Sequence, residues 1–316
     1  MGILRSNMQN VLEIMAIREY NNRGIPSSIL YYNTKPNERK EYFDKFSKES
    51  VNFMSMLEKS RRVVVKVGSS TLSHPTGALN LRRIGTLVRV LSDFRNAGKE
   101  VVLVSSGAVS AGAAKLGRGL PETVADKQAM AAIGQSELMR LYDEMFSLYG
   151  QNIAQILLTR DVLDNPTRRA LAENTFDTLL SMGCLPIVNE NDPISTDELT
   201  KFGGNDILSA YVGLVCHADV IINLSDVEGL YDSDPRTNPD AKLISRVEAI
   251  TDDMLGAAGG AGTRHGTGGL VAKLQAAKLA PDAGIPMFIM NGEDPEILYR
   301  LLDGEHVGTY FSAKRG

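Results

Sequence analysis

Two lysines sit in glycine-flanked segments: Lys66 in Val63-Val64-Val65-Lys66-Val67-Gly68, and Lys273 just beyond Gly266-Thr267-Gly268-Gly269. An apolar run ending in Lys-x-Gly carries an ammonium to the carboxyl edge of a sheet, where open α/β proteins bind ligands. Glycines let backbone N–H groups approach a ligand closely, and a helix that starts beside them adds partial positive charge. The chemistry these residues suit is the holding of phosphates, and a polyanion fits between the two lysines.

Four more clusters have the residue types for binding. Ser105-Ser106-Gly107-Ala108 follows the run Val101 to Val104 and opens a helix, so hydroxyls and free N–H groups converge where a carboxylate or phosphate could bind. Asn189-Glu190-Asn191-Asp192 is richer in carboxylates and amides than a turn requires, and Gly203-Gly204-Asn205-Asp206 precedes the apolar run Ile207 to Val215. Ser225-Asp226-Val227-Glu228-Gly229-Leu230-Tyr231 follows Val220 to Leu224 at a strand's carboxyl end. Each has a plain structural reading as well. Ser106, Asn205 and Asp206 suit helix caps, Asp192 before Pro193 suits a turn, and a single lysine is usually a solvated charge. His265 reads as a loop residue. Together the clusters fall where strands meet helices and supply both signs of charge.

The elements that must position them alternate. Strands are expected at 61–67, 100–105, 152–158, 185–189, 219–225 and 286–290. Leu81, Ile84, Leu87, Val88, Leu91 and Phe94 recur at helical spacing, with Gly98 placed to stop the helix. Further helices are expected at about 122–148, 167–182, 205–217 and 267–283, the last ending early at Pro281. This alternation predicts an α/β fold with an open, mostly parallel sheet sandwiched by helices. The chain's 316 residues, 43% apolar and with 29 glycines, suffice for one large domain or two lobes. A net charge of -4 and the lack of a basic stripe argue against a nucleic-acid partner. Cys184 and Cys216 have no metal-type spacing, no run nears the ~20 apolar residues of a membrane span, and the expected location is the cytoplasm.

Composition changes near residue 60. The first sixty residues hold 2 glycines but 7 of the 19 Phe and Tyr. They carry no catalytic constellation and read as a poorly ordered or peripheral extension, or as a stretch upstream of a start at Met54 or Met56. A partner-binding arm is the other reading.

From Arg61 to about Phe311 the runs VVVKVGSS, VLVSSGAVSAG, AAIGQSELM, PIVNENDPIS, GGNDILSA, LSDVEGLYDSDPR and GTGGLVAKLQAA occur in order. The chain thereby resembles the glutamate 5-kinases of the amino acid kinase family. The resemblance implies that fold, with an N-lobe of about 61–204 for the amino acid and a C-lobe of about 205–316 for ATP around one cleft. It implies transfer of the ATP γ-phosphoryl group to the γ-carboxylate of glutamate, the opening step of proline biosynthesis. Lys66 and Lys273 would neutralise charge on the transferring group while Asp206 holds both. Ser106, Gly107, Asp192 and Asn205 would hold glutamate. Ser225, Asp226 and the run Thr267, Gly268, Gly269, Leu270, Val271, Ala272 and Lys273, with Lys66, would hold ATP, and Mg²⁺ would arrive on its phosphates. Feedback inhibition by proline, a homo-oligomer and transient contact with glutamyl phosphate reductase are further implications.

Alternatives stay open: an acetylglutamate, aspartate or UMP kinase of the same family, a sensing module that lost turnover, or a dehydrogenase. The missing GxGxxG after the first strand counts against the last, and no Walker A, HRD or DFG pattern occurs. The sequence departs from the family pattern at Gly204, where an acidic residue is common, and at Ala257 to Gly262, expected as a mobile Gly/Ala loop. No C-terminal PUA domain is expected. Removal of the residues before Met54 should leave kcat/KM within about tenfold of the full chain, as for a peripheral terminus; lost folding or a larger fall would make the segment integral.

Overall fold

The run RVVVKV is dominated by β-branched valines, which crowd a helix but pack well on a pleated surface. It forms β1 (Arg62–Val67), with Val63, Val64, Val65 and Val67 fully buried. A computed structural model of the chain describes residues 56–195, 204–235, 237–260 and 267–314. The chain divides into two units, residues 1–58 with 303–305 and residues 59–302 with 306–316, and the second carries every element below.

The strands are β1, β2 (Glu100–Ser105), β3 (Asn152–Leu158), β4 (Cys184–Glu190), β5 (Val220–Ser225), β6 (Arg246–Val247), β7 (Met287–Asn291) and β8 (Thr309–Phe311). They form one eight-stranded sheet in the order β3-β4-β2-β1-β5-β7-β8-β6. All neighbours are parallel except β7 and β8. The helices flanking it are α1 (Ser69–Leu72), α2 (Leu81–Asn96), α3 (Ala108–Lys115), α4 (Val124–Ser147), α5 (Arg160–Asp164), α6 (Pro166–Ser181), α7 (Gly204–Val215), α8 (Asp252–Gly260), α9 (Thr267–Asp282) and α10 (Ile297–Leu302). Side chains fix several starts: Asn80 accepts from the Arg83 N–H, Thr123 from the Asp126 N–H, and Asn165 from the Thr167 and Arg168 N–H groups. The core beneath the site joins Val64, Val102, Ile221 and Ile289 of the inner strands to Leu208 and Val212 of α7 and to Ala276 and Ala280 of α9.

Two expectations need correction. Pro281 does not end its helix early, since α9 runs through it to Asp282. At the penultimate position the ring forfeits one hydrogen bond, and the Ala283 N–H still reaches Leu279 O at 3.3 Å. The Gly/Ala-rich stretch is not a loop as far as residue 260, because Asp252–Gly260 is α8. Thr251 Oγ1 caps it by accepting from the Met254 N–H, Asp252 and Asp253 complement the dipole in its first turn, and Lys278 of α9 pairs with Asp252 at 2.6 Å. Residues 261 and 262 lie outside the described residues, as do His265 and almost all of the expected N-terminal extension.

Helices α3 and α4 meet backbone to backbone, which seats the start of α3 beside the Ser106-Gly107 turn. A Cβ on Gly134 would lie 1.8 Å from Ala108 O, and one on Gly112 would lie 2.0 Å from Met130 O. Gly134→Ala should therefore destabilise the protein by about 1–3 kcal/mol or more, the range for overpacking, read from urea unfolding; an unchanged midpoint would contradict the close approach.

Candidate active site

Lys66 is the one charged residue of β1's valine run, and its side chain is 6% exposed. An ammonium held away from water needs a partner. Asp206, 7% exposed and in the first turn of α7, supplies it: Lys66 Nζ donates to Oδ1 at 2.5 Å. Lys273, on the second turn of α9 and 11% exposed, donates to the other oxygen, Oδ2, at 3.2 Å. A third donor, Nδ2 of the fully buried Asn223 on β5, reaches Oδ1 at 2.8 Å. Burial, the largest single influence, pushes the Asp206 carboxyl upward, but the two lysines and the bonds from Lys66 and Asn223 outweigh it and hold the carboxyl below its ordinary value. The N-terminal end of α7 adds a favourable partial charge.

Lys273 also stands 3.9 Å from Asp226 Oδ1, an exposed carboxylate that accepts from the Ser225 hydroxyl at 3.0 Å. Thr267, Gly268 and Gly269 form the first turn of α9, and of the run that follows Leu270 is partly exposed, Val271 half-buried and Ala272 buried. Lys273 of that run is tied to Asp206.

A second polar group lies on the β2–β4 side. Asn205 Nδ2 points at Ser105 O (3.1 Å), Ser106 Oγ (2.8 Å) and Asn189 Oδ1 (2.9 Å), and Asn189 Nδ2 donates to Gln135 Oε1 at 2.9 Å. Tyr142 and Ser105 share a buried hydroxyl contact of 2.9 Å. With its amide nitrogen turned inward, Asn205 keeps a buried Oδ1 that has no partner among the described residues. Gly107 caps α3 at φ 100°, a conformation a side chain resists, so the turn carrying Ser106 requires glycine there. Gly204, where the family pattern often has an acid, opens α7 at φ 55°, also in the left-handed region.

Asp192 is buried just past β4, and burial followed by the charge of Glu190 pushes its carboxyl up to about 7. Glu190 in turn accepts from the Ser195 hydroxyl at 2.6 Å. Among the described residues no hydrogen bond links Asp192 to Ser106 or Asn205. The structure thus gathers Lys66, Asp206 and Lys273 at one point, Ser225 and Asp226 beside Lys273, and Ser106 beside Asn205. Gln135, Tyr142 and Asn223 escaped sequence reasoning. The signal for Asn223 was available, since an amide interrupts the otherwise aliphatic run Val220 to Leu224.

A buried and a part-buried lysine paired through one carboxylate at the carboxyl edge of a parallel sheet suit phosphoryl chemistry. The amino acid kinase family's sequence profile matches residues 61–291. The chain belongs to the amino acid kinase family. It is 54% identical over 264 residues to the glutamate 5-kinase of Clostridium perfringens, covering 82% of this chain and 98% of that one. It is 48% identical over 263 residues to the glutamate 5-kinase of Listeria monocytogenes serotype 4b, covering 82% and 95%. Among solved structures, UMP kinase from Bacillus anthracis aligns with a TM-score of 0.54 at 19% identity over 81% of this chain and 97% of its own. The isopentenyl phosphate kinase of T. acidophilum aligns at 0.50 and 16%, over 79% and 99%. Those two likenesses show the fold.

Because the folded pKa of Asp206 lies below its unfolded value of ~3.9, its stabilisation is present above that pH and is lost as pH falls through the folded value. Asp206→Asn leaves two buried ammonium groups without their counter-ion and should cost about 3–5 kcal/mol at pH 7. The gap between variant and wild type should shrink on acidification; equal denaturant midpoints at pH 7 would contradict this reading.

Proposed function

We propose that this chain transfers the γ-phosphoryl group of ATP to the γ-carboxylate of L-glutamate, giving L-glutamyl 5-phosphate and ADP and so opening proline biosynthesis. The observation that carries the reading is the pair of ammonium groups held on the two oxygens of Asp206. The glutamate 5-kinase relatives, matched over nearly their full length, support the choice of glutamate.

In the proposed step a γ-carboxylate oxygen attacks the γ-phosphorus, the bond to the bridging oxygen of ADP breaks, and ADP leaves with the electron pair. No general base is needed, because a free glutamate carboxyl with pKa ~4.3 is ionised at neutral pH. The transition state is loose and its charge is spread over the phosphoryl oxygens, so positioning and electrostatics are the main aid a protein can give. Lys66 and Lys273 supply the positive charge, and Asp206 sets their spacing. The residues present fit the nucleotide: the two ammonium groups face phosphate, and the start of α9 offers backbone donors. Mg²⁺ would be held chiefly by the phosphate oxygens, since among the described residues no three His, Cys, Asp or Glu side chains group to hold a metal. Bound there, it would neutralise phosphate charge.

Glutamate is assigned to Ser106, Gly107, Asp192 and Asn205. The unpaired Asn205 Oδ1 and the Asp192 carboxylate are acceptors suited to the α-ammonium, and Ser106 is a donor suited to a carboxylate. Proline presents the same α-ammonium and α-carboxylate without a γ-carboxylate, which makes it the expected feedback inhibitor at these anchors. No described helix is long and apolar enough to cross a membrane. The proposal extends to a cytoplasmic homo-oligomer with residues 1–60 peripheral, and to brief contact with the reductase that consumes the labile acyl phosphate.

The testing experiment is ADP release from Mg-ATP with glutamate, acetylglutamate, aspartate or UMP, with hydroxylamine present to trap an acyl phosphate. Glutamate alone should turn over and yield a γ-hydroxamate; ADP without hydroxamate, or preference for another acceptor, would contradict the proposal. Lys273→Ala should lower kcat about 10²- to 10³-fold, the scale for one lost oxyanion donor, with KM changed far less, and Lys273→Arg should not restore it. Near-normal turnover in either would remove Lys273 from the mechanism.

Asp192 makes glutamate binding sensitive to pH. Its carboxyl, pushed up to about 7, must be ionised to pair with an α-ammonium. As pH rises from 6 to 8 the ionised fraction grows roughly tenfold and KM for glutamate should fall by about that factor. Asp192→Asn should abolish this dependence and raise the glutamate KM and the half-inhibitory proline concentration together, each roughly ten- to a hundredfold. A rise in the first with the second unchanged would place proline at a separate site.

A further inference from the structure

Asn223 occupies the middle of β5, where Ile221, Ile222 and Leu224 are all fully buried and the asparagine itself is 0% exposed. It lies directly opposite Lys66 of β1 in the parallel register, so both side chains project from the same face of the sheet. Its Nδ2 donates to Asp206 Oδ1 at 2.8 Å, the same oxygen that accepts Lys66 Nζ at 2.5 Å. Its own Oδ1 is buried and has no partner among the described residues.

That arrangement is expensive for a strand core. An aliphatic side chain would pack there without an orphaned acceptor. The carboxylate also fixes which way the amide faces: turned over, it would set oxygen against anionic oxygen and lose a charge-assisted bond. The feature that compensates is the bond to Asp206. When a polyanion enters between Lys66 and Lys273, it draws both ammonium groups and weakens their hold on the carboxylate. The Asn223 amide is neutral, and its strand is hydrogen-bonded on both sides, so it keeps its hold.

We propose that Asn223 is a positioning residue for phosphoryl transfer, locking Asp206 so that its two oxygens keep Lys66 and Lys273 at the spacing the transferring group requires. The inference rests on the reading of those three residues as the catalytic set. It adds a group that touches neither substrate and acts through Asp206.

The test compares the full chain with Asn223→Leu, which keeps the number and branching of side-chain heavy atoms and removes the donor. The expected result is a kcat lower by roughly ten- to a hundredfold, the range for one hydrogen bond to a charged group, with both KM values within a few-fold. In an Asp206→Ala background the same substitution should cost little further, because no acceptor then remains at position 206. Unchanged kcat per folded enzyme, or an equal loss in both backgrounds, overturns the proposal, even if thermal stability falls. Should Asn223→Leu fail to fold, the smaller Asn223→Ala also removes the donor and should lower kcat by a similar factor; an unchanged kcat there overturns the proposal equally. Lys66→Ala run in parallel separates the two readings. Full turnover in Lys66→Ala defeats the site assignment itself, whereas an inactive Lys66→Ala beside a normal Asn223→Leu defeats only the role of Asn223.

Discussion

Two ammonium groups and one carboxylate share a space with little access to water, where an ion without a partner is costly. Lys66, Lys273 and Asp206 are 6%, 11% and 7% exposed. Desolvation raises the energy of each ion, and their mutual attraction restores it only when each is held by the others. The cluster carries an excess of one positive charge, which suits it to a polyanion. In the proposed reaction, lysines fixed on a protein carboxylate before substrate arrives would avoid the reorganisation that free side chains need during transfer.

The sheet exists in a form that satisfies this constraint. Lys66 comes from β1 and Asn223 from β5, adjacent inner strands whose register sets the two residues side by side. Asp206 comes from the first turn of α7 and Lys273 from α9, two helices packed together over the same aliphatic core. On the other side of β1, β2 ends at Ser105 and leads through the left-handed Gly107 into α3, and the close approach of Gly112 and Gly134 clamps α3 to α4. The amide chain Gln135, Asn189, Asn205 then joins α4, β4 and the start of α7. Packing far from the reacting atoms therefore sets the distance between the lysines and the Ser106 turn.

Much of this was legible in the residues. Inner parallel strands are buried on both faces and read as continuous apolar runs, so six strands and their helices could be placed from pattern. The strands β6 and β8, of two and three residues, have no pattern of their own and form through pairing with neighbours. A helix at Asp252–Gly260 was missed because glycine content obscured a cap and two first-turn acids. Lys66, Asp206 and Lys273 stood out as charges at strand–helix junctions. Gln135 did not, since its meaning depends on which side chain faces it from a neighbouring element; Asn223 visibly broke an aliphatic run, but the Lys66–Asp206 pair it faces shows only in the fold. Residues 261–266, between α8 and α9, lie outside the described residues.

The role proposed for Asp206 is to space two ammonium groups for the transition state. The most direct test is the steady-state kinetics of Asp206→Asn with glutamate and Mg-ATP, measured at a temperature where the variant is folded. The expected kcat is lower by about a hundredfold or more, the scale of a lost preorganised electrostatic contact, with KM for Mg-ATP changed only a few-fold. A variant that keeps its kcat while KM for Mg-ATP rises would show that Asp206 serves nucleotide binding alone, and would contradict the claim.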